Sequence, residues 1–432
     1  MALESKKEGN IVTELANTVA LPSMVKVRQS LDSSCIMPEQ LKEIIRTEMN
    51  RDDFRCQILP GMNVAITCGS RGVANIALVL REIVDFVKGC GAKPFIFPAM
   101  GSHGGACTQG QIEIMESYGV TEKLMGCPIR ATMEVNHIGD TSEGMPVYID
   151  RYACEADAVI LCNRIKPHTG FRGPYESGLM KMAVIGMGKQ KGAEAVHQNG
   201  FSDLGRMLPL IAEVVLEKVK VIGGIGLIEN AFDQTCKVKA LTVQEIYTHE
   251  PELLKEAYSR MGCLYLNNLD VLVVDKIGKD ISGDGMDPNI TGRFLVDHIK
   301  SDYKVQHIAV LDLTEETHGS CIGLGTADVT TKRLVDKIDV DASFPNVITS
   351  TVLLGPKIPL FTHSDKSCIQ IALRTCNYID MDNPRIIRIQ DTMHLEDIYI
   401  SEAMLQEAQN HPKIEILEDP RPWDFDEDGN LW

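Results

Sequence analysis

Two hydrophobic periods run along this chain, and they take turns. Compact apolar runs at 62–67, 94–99, 158–162 and 221–230 have the length and bounding turn residues of buried strands. Between them, 38–49, 74–88, 108–119 and 202–219 space their apolar residues as an amphipathic helix does. Twice in succession the order is strand, glycine loop, helix. The first set is 62–67, CGSRG at 68–72 and 74–88; the second is 94–99, GSHGG at 101–105 and a helix from Thr108. That order predicts an α/β fold with mostly parallel sheets. A mixed β pattern follows at 132–137 and 147–150, and 176–187 predicts a helix with Lys181 in its interior.

The polar stretch 267–270 reads as a domain boundary, after which a second α/β pattern starts. It comprises a strand at 271–275, a long loop at 276–294, a helix to about residue 300 and a strand at 308–313. Helices at 326–338, 343–354 and 366–376, a strand at 385–389 and a helix at 399–409 complete it. The expected organisation is therefore an N-terminal domain over 1–266 and a C-terminal domain over 267–432. The short strand pattern at 24–27 falls in the first. The acidic tail EDPRPWDFDEDGNLW (418–432) is expected to dock through its two tryptophans, back onto the first domain.

Composition narrows the function. A chain of 432 residues exceeds one ordinary core. A net charge of −17 argues against a nucleic-acid binder, which needs a broad basic face. It leaves room for a small anion held in a local basic pocket. No apolar run reaches the roughly 18 residues of a membrane span, and the first ten residues lack a signal-peptide core. The 13 cysteines show no CxxC or zinc-like spacing, so reduced, mostly buried thiols and a cytoplasmic location are expected. Homo-oligomerisation is compatible with all of this.

The candidate chemistry is concentrated. Just past the apolar run 158–162, Arg164, Lys166, His168, Arg172, Lys181, Lys189, Lys191 and His197 fall within 34 residues. Open α/β sheets bind ligands at such strand ends. In CGSRG, Ser70 and Arg71 leave a strand end, where a phosphate or carboxylate could be held; an ordinary βα turn is the plain alternative. His103 in GSHGG is either an accessible acid/base group or a solvent-facing histidine. Lys181 among apolar neighbours either snorkels to water or is held for chemistry. Loop 276–294 carries Lys279, Asp280, Asn289 and Arg293, a polar wall if it is not merely a long βα loop.

Taken together, GSHGG, KPHTGF and SGLMKMAVIGMGKQKGAEAVH, with a histidine 16 residues after the lysine, resemble the nickel-dependent lactate racemase family. The resemblance implies two α/β domains with the active site in the cleft between them. It implies a nickel-pincer nucleotide, a pyridinium mononucleotide with two sulfur-bearing arms, attached covalently at Lys181. His197 then completes the nickel coordination, and His103 and His168 stand as acid/base residues on opposite sides of the substrate carbon. Ser70 and Arg71 would bind anionic groups of cofactor or substrate; loop 276–294 shares the position of the family's second-domain substrate loop but not its residues, and its Lys279, Asp280, Asn289 and Arg293 are expected to contact the substrate. The activity implied is inversion of C2 of a 2-hydroxy acid by proton-coupled hydride transfer. Gly104 stands where an arginine is expected after the histidine, and the extra room suggests a sugar acid such as gluconate. Lactate or another small 2-hydroxy acid is the alternative, and a non-catalytic binder of an anionic metabolite is the alternative of another class.

Overall fold

The computed structural model of the chain describes residues 11–70, 72–198 and 200–432. Two compact units are present, each on its own sheet. The chain does not pass through them one after the other. Strand β1 (Met24–Gln29) pairs with strands from the C-terminal end, so 11–31 belong with Gly262–Trp432, and Asp32–Met261 forms the other unit. The sequence reading placed 1–31 in the first domain; that assignment is corrected here. Val25 and Val27 are fully buried on a strand that lies between β14 and β15 of the C-terminal sheet.

Within Asp32–Met261 the strands are β2 (Asn63–Cys68), β3 (Lys93–Pro98), β4 (Val135–Asp140), β5 (Pro146–Asp150), β6 (Ala158–Arg164), β7 (Val221–Glu229) and β8 (Thr235–Thr242). The sheet order is β3-β2-β6-β7-β8, parallel except for β8, with β4 and β5 as a separate hairpin. The period of two sorts the strand side chains onto two faces. Ala65, Phe95, Phe97, Val159 and Leu161 pack with Leu204, Leu208, Ile211 and Val215 of the Phe201–Lys218 helix. Val64, Ile66, Ile96, Ile160 and Cys162 pack on the opposite face with Leu41, Ile45, Val79 and Ile83 from the Pro38–Met49 and Ile76–Gly89 helices. Each such side chain contributes about 1.5–3 kcal/mol on burial.

The topology selects one end of this sheet. The chain leaves β2 towards β3, then returns past β2 to β6 and continues away on the other side. Connections from β2 and β6 therefore diverge, and the crevice they open is the usual ligand position in an open parallel sheet. The loops that follow β2, β3 and β6 carry Ser70, His103 and His168 respectively.

The other unit adds β9 (Leu269–Ile277), β10 (Val305–Leu313), β11 (Val329–Thr331), β12 (Leu360–Thr362), β13 (Ile386–Ile389), β14 (Asp397–Ser401) and β15 (Ile414–Ile416). Their order is β12-β11-β10-β9-β13-β14-β1-β15, parallel from β12 to β13 and antiparallel beyond. The helix expected at 399–409 is strand β14 followed by the short Leu405–Asn410 helix. Its alternation, Ile398 and Ile400 inward, is too brief to be told from a helical turn. The stretch expected as one helix at 326–338 holds β11 and only then the Lys332–Asp336 helix, and residues 294–300 are not helical. The tail stays on this same unit. Trp423 Nε1 donates to Pro22 O (3.1 Å), Leu431 N–H donates to Asp365, and the Arg333 guanidinium lies 4.8 Å from the Trp432 ring centroid. All 13 cysteines are free thiols; six are buried and four are exposed. No helix among the described residues is long and apolar enough to cross a membrane.

Candidate functional site

The loop after β6 is closed on itself. Lys166 N–H donates to Ser177 O (2.9 Å) and Ser177 N–H to Lys166 O (3.2 Å). Inside this closure, the buried Glu176 carboxylate accepts the His168 backbone N–H (2.6 Å) and the Tyr258 hydroxyl (3.0 Å). Arg172 adds a hydrogen bond to His168 O (2.6 Å). The His168 ring lies over Phe171, centroids 4.3 Å apart, and its Nδ1 accepts the Gly170 N–H (2.9 Å). A nitrogen that accepts carries no proton, so the neutral ring holds its hydrogen on Nε2.

Lys181 follows at an irregular place. The helix expected over 176–187 is instead a single α-turn, Leu179–Lys181, running into a π-helical turn, Met182–Gly186, closed by Met187 N–H to Met182 O (3.0 Å). Met180, Met182, Val184 and Met187 are buried core residues. The wide turn arises where the segment meets β3: a Cβ on Gly186 would lie 2.8 Å from Ala99 O, so a side chain there cannot be fitted. Turns of this kind are concentrated at functional sites. Lys181 Nζ sits 5.8 Å from the Phe171 ring centroid, the ring that also carries His168.

His197 ends the Lys189–His197 helix, its ring 5.1 Å from that of Phe201. Among the described residues its Nδ1 is buried and lacks a hydrogen-bond partner. Burial pushes the imidazole down to about 4, helped by the positive charge of Lys181. His168 is likewise held well below the usual histidine range, by burial first and then by Lys181, His197, Lys166 and Arg172. His168, Lys181 and His197 are gathered around two rings: Phe171 is 4.3 Å from the His168 ring and 5.8 Å from Lys181 Nζ, and Phe201 is 6.3 Å from the His168 ring and 5.1 Å from the His197 ring. Both imidazoles are neutral at pH 7; His168 offers Nε2–H, its Nδ1 being occupied by Gly170 N–H, while the buried Nδ1 of His197 has no partner among the described residues.

His103 reaches the same end of the sheet by a different route. Its Nδ1 is hydrogen-bonded to Ser70 Oγ, and the Ser70 carbonyl accepts the Tyr118 hydroxyl (2.9 Å). The loops after β2 and β3 are thus joined through Ser70 and His103. Gly104 has φ +69°, and a Cβ there would stand 2.7 Å from the Gly110 carbonyl carbon. The expected extra room beside His103 is therefore filled by the backbone of the Thr108–Ser117 helix. Arg71 lies outside the described residues.

The C-terminal unit places its four candidates on its own loops. Asp280 accepts the Thr314 hydroxyl (2.6 Å), and Lys279 N–H donates to Thr317 Oγ1 (3.1 Å). Asn289 is tied to Asp287 (2.8 Å), at the head of the short Pro288–Thr291 helix that the sequence reading left as loop. Arg293 pairs with Asp328 (2.8 Å) and donates to Thr326 O and Gln306 O, so it braces this unit. Lys279 and Asp280 follow β9, at the switch point between β9 and β13. There Asp391, buried, holds His394 Nδ1 (2.8 Å). The histidine three residues after an aspartate was the only signal available.

The contacts of three further residues, Glu250, Gln111 and Lys189, are not legible in the sequence because their partners are remote along the chain. Glu250 is buried and caps the Lys181 turn by accepting Met180 N–H (3.1 Å). Burial pushes its carboxyl up to about 8. Lys189 and Gln111 are fully buried and bonded to each other at 3.0 Å.

The chain is similar to known proteins in part of its sequence and in its fold. Residues 16–205 match the family described as lactate racemase N-terminal domain. A Thermotoga maritima protein of known crystal structure is 12% identical, with TM-score 0.54, over 84% of this chain and 99% of its own. The lactate racemase apoprotein from Thermoanaerobacterium thermosaccharolyticum is 14% identical, with TM-score 0.47, over 86% of this chain and 99% of its own. No curated protein matches the chain.

Proposed function

We propose that this chain, whose residues 16–205 match the lactate racemase N-terminal domain, is an isomerase that inverts C2 of a 2-hydroxy acid. The carrying observation is the clustering of His168, Lys181 and His197 around the Phe171 and Phe201 rings, where burial keeps both imidazoles neutral beside a lysine. The residues fit a nickel-pincer nucleotide. His197 offers an imidazole kept unprotonated, with a buried Nδ1 that is unsatisfied among the described residues, and Lys181 offers an amine for covalent attachment. Among the described residues no group of three His, Cys, Asp or Glu could hold a metal, so further ligands would have to come from a bound group. Lys181 would hold the nucleotide and His197 the nickel. When bound, the group supplies an acceptor for the hydride that leaves C2 and a donor for its return.

The chain's own part is proton handling. The C2 hydrogen of a hydroxy acid leaves far more readily as hydride if the hydroxyl proton departs to a base at the same time. In the tautomer in which His103 Nδ1–H donates to Ser70 Oγ, Nε2 presents a lone pair for that proton. His168, with Nδ1 occupied by Gly170 N–H, presents Nε2–H as a donor to the substrate's oxygen. Inversion requires the two to exchange roles between enantiomers. An anionic ligand among Lys166, Arg172 and Lys181 offsets the charges that now hold His168 neutral, and so raises it towards the protonated form. The substrate we favour is a sugar acid such as gluconate, supported only by the polar residues Lys279, Asp280 and Asn289 after β9. Lactate remains the smaller alternative.

The test uses protein from cells that make the nucleotide, with intact mass, nickel content and peptide mapping. A nucleotide-sized adduct on Lys181 and about one nickel per chain are expected. His103→Gln and His168→Gln should each lower kcat by about 10²–10⁴ with the fold retained. An unmodified Lys181 without nickel would reduce the chain to a binder of anionic metabolites and end the isomerase reading.

A further inference from the structure

Lys189 has two unusual properties for a lysine. It is wholly buried, and as a non-glycine residue it adopts φ +54° at the head of the helix that ends in His197. A lysine ammonium has three protons and no lone pair. Two are donated in hydrogen bonds here, to Pro98 O at the end of β3 and to Gln111 Oε1 (3.0 Å), and Asp150 Oδ2 at the end of β5 stands 3.2 Å from the ammonium as its ion-pair partner. Burial lowers the lysine and raises the aspartate, and their pairing opposes both shifts.

Gln111 passes the connection on. With its oxygen committed to Lys189, its amide protons go to Gly101 O (3.1 Å) and His103 O (3.2 Å). The same loop is held from its other side by Gly101 N–H to Gly186 O (3.1 Å), the last residue of the π-helical turn after Lys181. A buried amide with each atom spent has one orientation, because flipping it would set oxygen against oxygen and NH2 against ammonium.

We propose that Lys189 and Gln111 form a strut that positions His103 relative to the segment carrying Lys181 and His197. Lys189 fixes the Gln111 amide, and Gln111 fixes the His103 backbone, so the imidazole meets Ser70 from one direction. Both are positioning residues, and neither touches substrate. The consequence for turnover rests on the isomerase reading; the placement of His103 does not.

Gln111→Glu is the separating variant. It keeps an oxygen facing Lys189 and so keeps the core ion-paired, but it turns a second oxygen towards Gly101 O and His103 O. Lys189→Met is less informative, because it strands Asp150. The expected result in the full chain is a Tm within about 4 °C of wild type. The His103 ring resonance, read by NMR with ring-labelled histidine and assigned with His103→Gln, should shift away from its wild-type position and pH titration. In the loaded enzyme kcat should fall roughly 10²-fold, with KM changed far less. Gln109→Glu, which adds the same charge at the surface of the same helix, should change none of these.

A folded Gln111→Glu protein with the wild-type His103 resonance would overturn the strut. So would a collapse of Tm by more than about 8 °C, which would make Gln111 a general core residue. A shifted His103 resonance in a protein whose wild type shows no isomerase turnover would leave the strut standing and remove the isomerase reading instead.

Discussion

At the scale of single residues, the site works by denying charge. Lys181 is one cause of the depression of both His168 and His197. Lys181→Met is therefore expected to raise both imidazole pKa values, measured by NMR titration of the protein without cofactor; two unmoved titrations would separate the lysine from the histidines. Ser70 acts through orientation. Its loss in Ser70→Ala removes one hydrogen bond from His103, about 1–1.5 kcal/mol, so kcat should fall about tenfold while Ser70→Thr stays near wild type. Gly104 shows how far a motif can be read. GSHGG pointed to the accessible histidine, but only the structure reveals that Gly104 is demanded by the backbone of residue 110 rather than by a larger substrate.

At the scale of elements, the Lys181 turn rests on a buried acid, Glu250. Glu250 is raised by burial, and the Leu179 and Met180 N–H groups pull it only partly back. A folded-state value of about 8 against an ordinary 4.5 means that the native protein holds the proton more tightly than the unfolded chain. Its stabilisation is complete below about 4.5 and is lost as pH rises towards 8. His168 and His197 act oppositely, costing stability as pH falls below about 6.5. Between pH 6.5 and 8 only Glu250 of these three is titrating, at up to about 1.4 kcal/mol per pH unit. Glu250→Gln should flatten the thermal stability of the protein across that window; an unchanged slope would show that Glu250 is ionised throughout. The Lys189–Asp150 pair is the other buried commitment, and Lys189→Met should cost about 3–5 kcal/mol in denaturant unfolding. The long periodic elements were legible in the sequence, because the Ile76–Gly89 and Phe201–Lys218 helices repeat their pattern over more than three turns and Thr108–Ser117 over nearly three. The Lys181 segment was misread as a helix because its apolar residues are buried all round, so periodicity carries no information there. Glu250 and Gln111 were invisible for another reason: each meets its partner tens of residues away or more, and nothing local marks a buried polar side chain.

At the scale of the whole molecule, the unit Asp32–Met261 is inserted between β1 and β9. It has its own sheet with a core on both faces, and it holds Ser70, His103, His168, Lys181 and His197. Residues 32–261 produced alone should therefore give a cooperative, folded protein, checked by circular dichroism and thermal melting. Residues 262–432 alone should not, because β14 and β15 would lose the strand that lies between them. Restoring 11–31 as a covalent N-terminal extension should rescue them. The placement of β1 also bears on how the protein is made. Met24 pairs with Ser401, so the strand leaves the ribosome early and its partner late. At roughly 5–20 residues per second the interval is on the order of tens of seconds. For that time a strand bearing Val25 and Val27 is exposed while the middle of the chain has already folded. Synthesis, rather than the finished protein, is where this architecture is most exposed to aggregation, and a chaperone that shields the nascent N-terminus would act on that strand.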